Sequence, residues 1–526
     1  TSLPVRLVKD IDLTSQLYIA RGVSLLMFVL IVLAAAGLMT ELTPRGHPLR
    51  WAVPLAVALF PSFANQMTAV NNDVGSVLMV SYFVWGSVRL VRRFTLWRLL
   101  ALAIVSGLAL ITKSTAALTV ATLPLILILA LWRAAGWSWR WFWIGGAVAV
   151  LVPLATILSF DEAAYWYRGW GTLQPAASRA TLGNAPWGEA ALSLMVGERG
   201  SNTFINPLTR AQSDPLAGEV VTIGAWMWAG EPTRGYAPSL YVSPENTTAL
   251  DNEHVTVDLT RTPAFFGREV QVPENAGRVH YGIVARLQND SAPTTIYLDG
   301  AFLIEGALPL DSPPRLEGDQ VIGSDGTRHL NLLRNPSAEQ RGPRVKPWVD
   351  ELVSRYNRTV TNHIVMSVFD LQRTGPFMGG LVLPMLLSSF VGSFGWGHIL
   401  LPSWASLTAL AVGALAILGA LKWMVTRRGR TTIGAALVVV LIMLLVSLAS
   451  ALMWPLPFRF LDRFLLPSGR YLFPATIPIM LVVAGGWWAL VPRRWRVPAL
   501  LLLLLGLLLL DGLALHTIQS YFASVG

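Results

Sequence analysis

Cysteine is absent from the 526 residues, which excludes disulfides, thiolate nucleophiles and cysteine-ligated zinc or iron–sulfur centres. Charge is scarce: 13% of residues are Asp, Glu, Lys or Arg, against about 25% in a soluble globular chain. Lysine is nearly missing, with only Lys9, Lys113, Lys346 and Lys422, so a lysine in an unusual place stands out. No Gly-rich phosphate loop or haem motif is present, which argues against direct nucleotide or haem chemistry. The seven histidines show no metal-ligand spacing.

Hydrocarbon fills the space that charge leaves. Hydrophobic residues make up 53% of the chain, and ten segments are long and apolar enough to span a bilayer with some tilt. They run Gly22–Thr40, Trp51–Val70, Val74–Leu90, Leu99–Thr112, Thr115–Trp132, Trp141–Phe160, Ser403–Met424, Thr432–Trp454, Tyr471–Leu490 and Val497–His516. A net charge of +10 would suit nucleic acid, but its placement points to a membrane instead. Five alternate loops, Glu41–Arg50, Arg89–Arg98, Arg133–Arg140, Lys422–Arg430 and Arg493–Arg496, hold fifteen Lys/Arg and a single acid, Glu41. Cations gather on the cytoplasmic side, so the long loop Asp161–Pro402 is predicted to lie outside. Phe377–Leu401 is apolar enough for an eleventh span, but spanning would break this charge pattern, and an interfacial segment is expected. The same pattern starts Thr1–Arg21 outside, which leads us to expect a further helix before Thr1.

The composition changes abruptly at Asp161. ALSLMV, EVVTIGAWMWAG, SLYVSP, HVTVDLT, REVQVP, HYGIVARLQ and TTIYLDGAFLIEG alternate with Gly/Pro/Asn/Asp turns, which reads as a β-sandwich. The predicted plan has four parts: a helical bundle at 1–160, an extracytoplasmic all-β sandwich at 161–342, outer amphipathic and interfacial helices at 343–402, and a second helical bundle at 403–526. Trp348–Leu371 carries the helical apolar pattern in the third part. Trp226, Trp228, Tyr236, Tyr241 and Tyr281 are candidates for stacking on sugar rings; packing inside the sandwich is the alternative.

Three polar clusters fall on the same side as the sandwich: NQMTAVNNDVGS with Asn71, Asn72 and Asp73; LITKST with Lys113; and FRFLDRFLLPSGRYLFP with Arg459, Asp462, Arg463 and Arg470. Ionisable groups held this close to hydrocarbon usually serve a function. Cations beside a carboxylate suit an anionic head group, although Asp73 also suits a helix cap and Lys113 and Arg470 also suit snorkelling. Asp511, inside the last span, reads as a polar contact near the interface.

Two resemblances follow. NPLTRAQSDPLAGEVVTIGAWMWAG and TTIYLDGAFLIEG resemble jelly-roll modules of the carbohydrate-binding, galactose-binding-like class, and NLLRNPSAE at Asn331–Glu339 resembles the opening strand of another such module. VNNDVGSVL, GLALITKSTAALTVATLPL, SSFVGSFGWGHILLP and SGRYLFPATIP, in that order, resemble the GT-C superfamily of polytopic glycosyltransferases, nearest the protein mannosyltransferase and aminoarabinose-transferase type and a related bacterial group.

The GT-C resemblance implies a sugar carried on a polyprenyl phosphate and moved to a glycan or glycoprotein acceptor outside the plasma (inner) membrane of a bacterial cell envelope. It casts Lys113, Arg470 and Arg463 as donor-phosphate ligands and Asn72 and Asp73 as the second-loop acid site. Asp73 would position phosphate, in some relatives through divalent Mg or Mn. The principal acid of such enzymes stands in the first outer loop, and neither Asp10 nor Asp12 stands in a matching motif. That departure keeps open a non-catalytic scaffold or glycan-binding subunit among other membrane subunits. A transporter ranks below both, because no paired, broken helices recur in matching halves.

Overall fold

The computed structural model describes residues 12–525 apart from 114, 115, 117, 137, 138, 172–176, 197–201, 245–253, 286–293, 347, 350–364, 366, 427–430 and 454–466. The chain divides into two compact units: Thr1–Val152 with Phe377–Pro455 and Leu466–Gly526, and Pro153–Pro376 with Leu456–Leu465.

The first unit is helical. Among the described residues, seven helices are long and apolar enough to cross a membrane: Leu13–Leu42, Asp73–Arg92, Leu371–Gly392, Ser403–Trp423, Gly434–Met453, Gly469–Leu490 and Arg493–Val525. Leu49–Ala58, Leu96–Thr112 and Leu118–Ala134 are shorter apolar helices. Several expected spans change shape. Trp51–Val70 is two helices, Leu49–Ala58 and Pro61–Thr68, because Pro61 lacks the N–H that would continue the first and suits the first turn of the second. The helix beginning at Trp139 ends at Ile157, and Leu158 already belongs to a strand. Leu371–Gly392 is one helical stretch with a π turn at Met378–Val382, so by length and composition it qualifies as a span, where the charge pattern favours an interfacial position.

Packing within this unit is close. Phe63 is fully buried between Phe28 and Phe473, with ring centroids 5.9 and 5.4 Å away. Helices Ser403–Thr426 and Thr476–Leu490 meet backbone to backbone: a Cβ on Gly486 would lie 1.9 Å from the Ala416 carbonyl oxygen, and one on Gly419 would lie 2.1 Å from that of Gly486. Small residues permit this approach, as they do in lipid-embedded helix pairs. Trp487 Nε1 donates to the Val412 carbonyl at 3.2 Å beside the crossing.

The second unit is a β-sandwich. Its strands are β1 (Leu158–Ala163), β2 (Tyr167–Gly171), β3 (Ala177–Thr181), β4 (Ala190–Val196), β5 (Asn202–Pro207), β6 (Val220–Ala229), β7 (Thr233–Tyr236), β8 (Ser239–Pro244), β9 (Thr256–Leu259), β10 (Ala264–Gln271), β11 (Ala276–Ala285) and β12 (Thr294–Glu305). After them come β13 (Arg315–Glu317), β14 (Gln320–Ile322), β15 (Arg328–Leu330) and β16 (Arg341–Val345). A five-stranded sheet in the order β10-β6-β12-β4-β3 pairs with a four-stranded sheet, β2-β5-β11-β8. Alternation sets the core: Val221, Ile223, Ala225 and Met227 of β6 face inward onto Phe204, Val279 and Ile283, as period-two side chains must. In β12 a bulge between Asp299 and Phe302 switches which residues face the core. Gly300 sits there at φ +57°, a conformation that glycine adopts without strain.

Asn331–Glu339 is not the opening strand of another module. It is an irregular clasp on the same sandwich. Asn331 Oδ1 accepts from Leu303 N at 3.2 Å, and Asn335 Nδ2 donates to the Ala164 carbonyl at 2.9 Å. Glu339 Oε1 accepts from Glu189 N and Ala190 N at 2.7 and 2.8 Å. Its polar side chains satisfy backbone groups of other segments, which leaves no ladder of its own to build.

Candidate functional site

Two places gather the residues singled out by sequence, one in each unit. In the helical unit, Asn71 Oδ1 accepts from Asp73 N at 2.8 Å and from Val74 N at 3.2 Å. That Asx turn starts helix Asp73–Arg92 and places Asp73 at its first position. Asn71 therefore makes the cap; Asn72 makes no side-chain cap bond and is exposed. Lys113 follows helix Leu96–Thr112 in an extended conformation, and its ammonium pairs with the Asp73 carboxylate. Both side chains are mostly buried, at 20% and 13% exposure, so the pair is shielded and stronger than a surface pair.

Arg470 arrives from a distant part of the chain. It lies in the 3₁₀ turn Gly469–Ala475, anchored where Gly469 N donates to Ser389 Oγ at 2.8 Å. The backbone of Ser389 and Phe390 leaves no room for a side chain at Gly469. The Arg470 guanidinium lies 5.4 Å from the Tyr471 ring centroid. Asp73, Ser76, Ser450, Arg470 and Tyr471 then line one pocket over an apolar floor of Val77, Leu118 and Pro474. The Ser76 hydroxyl is buried there without a hydrogen-bond partner among the described residues. One cation, Arg470, with hydroxyls and a carboxylate over an apolar floor suits an anionic, hydroxyl-bearing group with an apolar tail.

Among the described residues, the side chains lining this pocket do not by themselves make up a divalent-metal ligand set. Asp73 is the one carboxylate lining the pocket and already carries the Lys113 cation, and no group of three or more His, Asp or Glu side chains gathers among the described residues. Arg463, Arg459 and Asp462 lie outside the described residues, as does most of Trp348–Leu371.

The second place is the outward face of the five-stranded sheet. Trp226 is half-buried, but Trp228 is 2% exposed and stacked on Tyr297 at 5.4 Å. Trp228 therefore has no free face for a sugar and is corrected to a packing residue. Tyr241 and Tyr281 are also buried, and Tyr281 Oη donates to the Gly224 carbonyl at 3.1 Å. Tyr236 is half-buried beside His254, 5.3 Å away. Sequence reasoning passed over Trp187 and Asp299. Trp187 is half-buried and shares the space over Gly300 with Trp226: a Cβ on Gly300 would lie 2.4 Å from Trp187 and 3.2 Å from Trp226. Under them Asp299 is fully buried and accepts from Trp187 N at 2.7 Å and from Gly300 N at 2.6 Å. Burial pushes its carboxyl up to about 6, against the opposing pull of these bonds.

No family profile matches the chain, and no curated protein matches it in sequence. Solved structures do match. The enzymatically active domain of tailspike protein 4 of bacteriophage CBA120 is 12% identical at a TM-score of 0.23, covering 28% of this chain and 20% of its own. A family 61 carbohydrate-binding module in complex with β-1,4-galactotriose is 19% identical at 0.21, covering 28% of this chain and 92% of its own. The CBM22-1 xylan-binding domain of Paenibacillus barcinonensis Xyn10C is 10% identical at 0.21, covering 28% and 93%. Two of these three are carbohydrate-binding modules.

Trp187 carried no periodic signal. It sits in GNAPWGE, a turn-rich connection between β3 and β4. A large aromatic in a short polar loop was the available cue, since connecting segments commonly carry binding residues.

Proposed function

We propose that the protein is a membrane glycosyltransferase of GT-C type that takes a sugar from a polyprenyl-phosphate donor and passes it to an acceptor on the extracytoplasmic side. The observation that carries this reading is the meeting of Asp73, Arg470 and the unpartnered Ser76 hydroxyl in one pocket, with Lys113 bound to Asp73. In the transfer, an acceptor hydroxyl oxygen bonds to the sugar C1. The C1–O bond to phosphate breaks, and its electron pair leaves with the polyprenyl phosphate. Arg470 stabilises the charge growing on that phosphate, the kind of fixed positive group that lowers such barriers most. Asp73, oriented by Asn71 and Lys113, accepts hydrogen bonds from the sugar hydroxyls. The acceptor's proton needs a general base, which the GT-C resemblance expects on the first outer loop, and neither Asp10 nor Asp12 matches that motif. In the sandwich, Trp226 offers its indole to a pyranose ring and holds the acceptor glycan.

A non-catalytic glycan-binding scaffold is the second reading. It is favoured by the pairing of Asp73 with Lys113, which occupies the pocket's acid. Turnover of a polyprenyl-phospho-sugar by wild type, Lys113→Ala and Arg470→Ala separates the two. Loss in both variants supports the enzyme, and normal turnover in both eliminates it. Binding of the lipid phosphate without turnover in wild type selects the scaffold.

A further inference from the structure

At the arginine-bearing end of the helical unit, three elements bring their cationic and aromatic residues together. His47 lies in the connection after helix Leu13–Leu42, and Arg50 opens the next helix. Trp488 ends helix Thr476–Leu490, and Arg496 begins helix Arg496–Val525. The His47 ring is 4.8 Å from the Trp488 ring, and the Arg496 guanidinium stands 5.3 Å over the same indole. Leu49 N donates to His47 Nδ1 at 3.3 Å, which leaves Nε2 to carry the imidazole N–H. Arg50 donates to the Thr43 carbonyl at 2.7 Å and Arg496 Nε to the Val491 carbonyl at 3.4 Å; both anchors are neutral.

Charge here is unbalanced. The acid on these connections, Glu41, is engaged by Arg89 and Arg92, and no carboxylate pairs with His47, Arg50 or Arg496 among the described residues. Burial, followed by Arg496 and Arg50, holds the His47 imidazole below its usual range. His47 and Arg496 flank one indole, and Arg50 acts on the same imidazole, so the group gains from an anion bound beside it.

The location identifies the anion's carrier. The apolar stretches ending at Leu42 and Leu490 and the one starting at Arg493 adjoin these residues along the chain, so in a bilayer the cluster falls where head groups meet hydrocarbon. The flanking surface is apolar and open: Leu55 is 44% exposed, Trp495 55% and Leu501 54%. A soluble anion has no use for that surface, whereas acyl chains cover it.

We propose that the His47–Arg50–Trp488–Arg496 cluster binds the phosphate of an anionic glycerophospholipid, a site separate from the Asp73–Arg470 pocket. The test is native mass spectrometry of the detergent-purified full chain with phosphatidylglycerol, phosphatidylcholine or inorganic phosphate. Wild type should retain phosphatidylglycerol in preference to phosphatidylcholine, and Arg496→Ala should lose roughly fivefold in retention. Arg494→Ala removes the same charge from the same turn outside the cluster and should stay near wild type. Trp488→Phe, which keeps every charge, should fall between the two. Equal loss in Arg494→Ala and Arg496→Ala would overturn the proposal in favour of diffuse attraction. So would equal retention of phosphatidylcholine, or displacement of the lipid by inorganic phosphate at equal concentration.

Discussion

Asp370 accepts two parallel bonds from Arg334, at 2.8 and 2.9 Å, with 3% and 14% of the two side chains exposed. The same carboxylate accepts from Tyr167 Oη at 2.8 Å and from Arg373 N at 3.3 Å, so it also starts helix Leu371–Phe377. Arg334 stands 4.3 Å over the Tyr165 ring. Burial raises the Asp370 pKa, but the bonds and charge of Arg334 outweigh it and hold the carboxyl below its ordinary value. Burial also pushes the Tyr167 phenol well up.

This pair predicts an asymmetry. Asp370→Ala strands a buried guanidinium and should cost about 3–5 kcal/mol, whereas Arg334→Met with Asp370→Leu should cost far less. Hydrogen exchange of β2 and residues 367–377 in the full chain measures both. Since the native pKa is lowered, the pair's contribution is complete above about pH 4 and lost as pH falls further.

Asp299 should behave in the opposite sense. Its native carboxyl keeps a proton up to about pH 6, while an unfolded Asp releases it near pH 4. The native state binds the extra proton, so stability falls as pH rises through this window, by about 3 kcal/mol in total. Exchange rates of β12 at pH 4.5 and 7 should show the slope in wild type and not in Asp299→Asn. A flat wild-type profile contradicts the assignment.

The crossing of Ser403–Thr426 and Thr476–Leu490 predicts a sharp positional contrast. Gly486→Val places atoms into the Ala416 backbone and should lower stability by about 1–3 kcal/mol or more. Gly485, its neighbour, has no atom within 4 Å of an added Cβ, so Gly485→Ala should be neutral or slightly stabilising. Thermal unfolding in detergent compares the two.

The indoles of the sandwich should separate by assay. Trp226→Ala and Trp187→Ala should leave the sandwich folded and weaken glycan binding on an array. Trp228→Ala removes a buried ring and should cost about 3–5 kcal/mol of stability. Unchanged glycan binding in both the Trp226→Ala and Trp187→Ala variants argues against this face.

The strands were legible where alternation was local, as in Val221, Ile223, Ala225 and Met227 of β6. Alternation could not separate Trp226 from Trp228, because both lie on the same face two residues apart. The difference comes from Tyr297, a neighbour supplied by another strand. The β12 bulge was hidden too: LDGAFLI reads as a continuous apolar strand, and only pairing with β6 reveals the extra residue. In the helical unit, hydropathy located the apolar stretches, and Pro61 marked the break that segment length concealed. The order of Asp73, Lys113 and Arg470 along the chain was visible as motifs. That Lys113 would neutralise Asp73 was not, because their meeting depends on how two helix ends are placed.

The pairing of β1 with β16 puts Leu158 opposite Val345 and Ala163 opposite Arg341, so the sandwich's entry and exit strands run side by side. The clasp at Asn335 holds this neck closed, reaching back to the Ala164 carbonyl. Entry and exit one strand apart let a whole domain be added or removed without changing the distance its host must bridge. The same closure imposes an order in time. The neck forms only after nearly the entire sandwich has been synthesised, so β1 waits for β16 while β2 and β3 find their partners in β5 and β4.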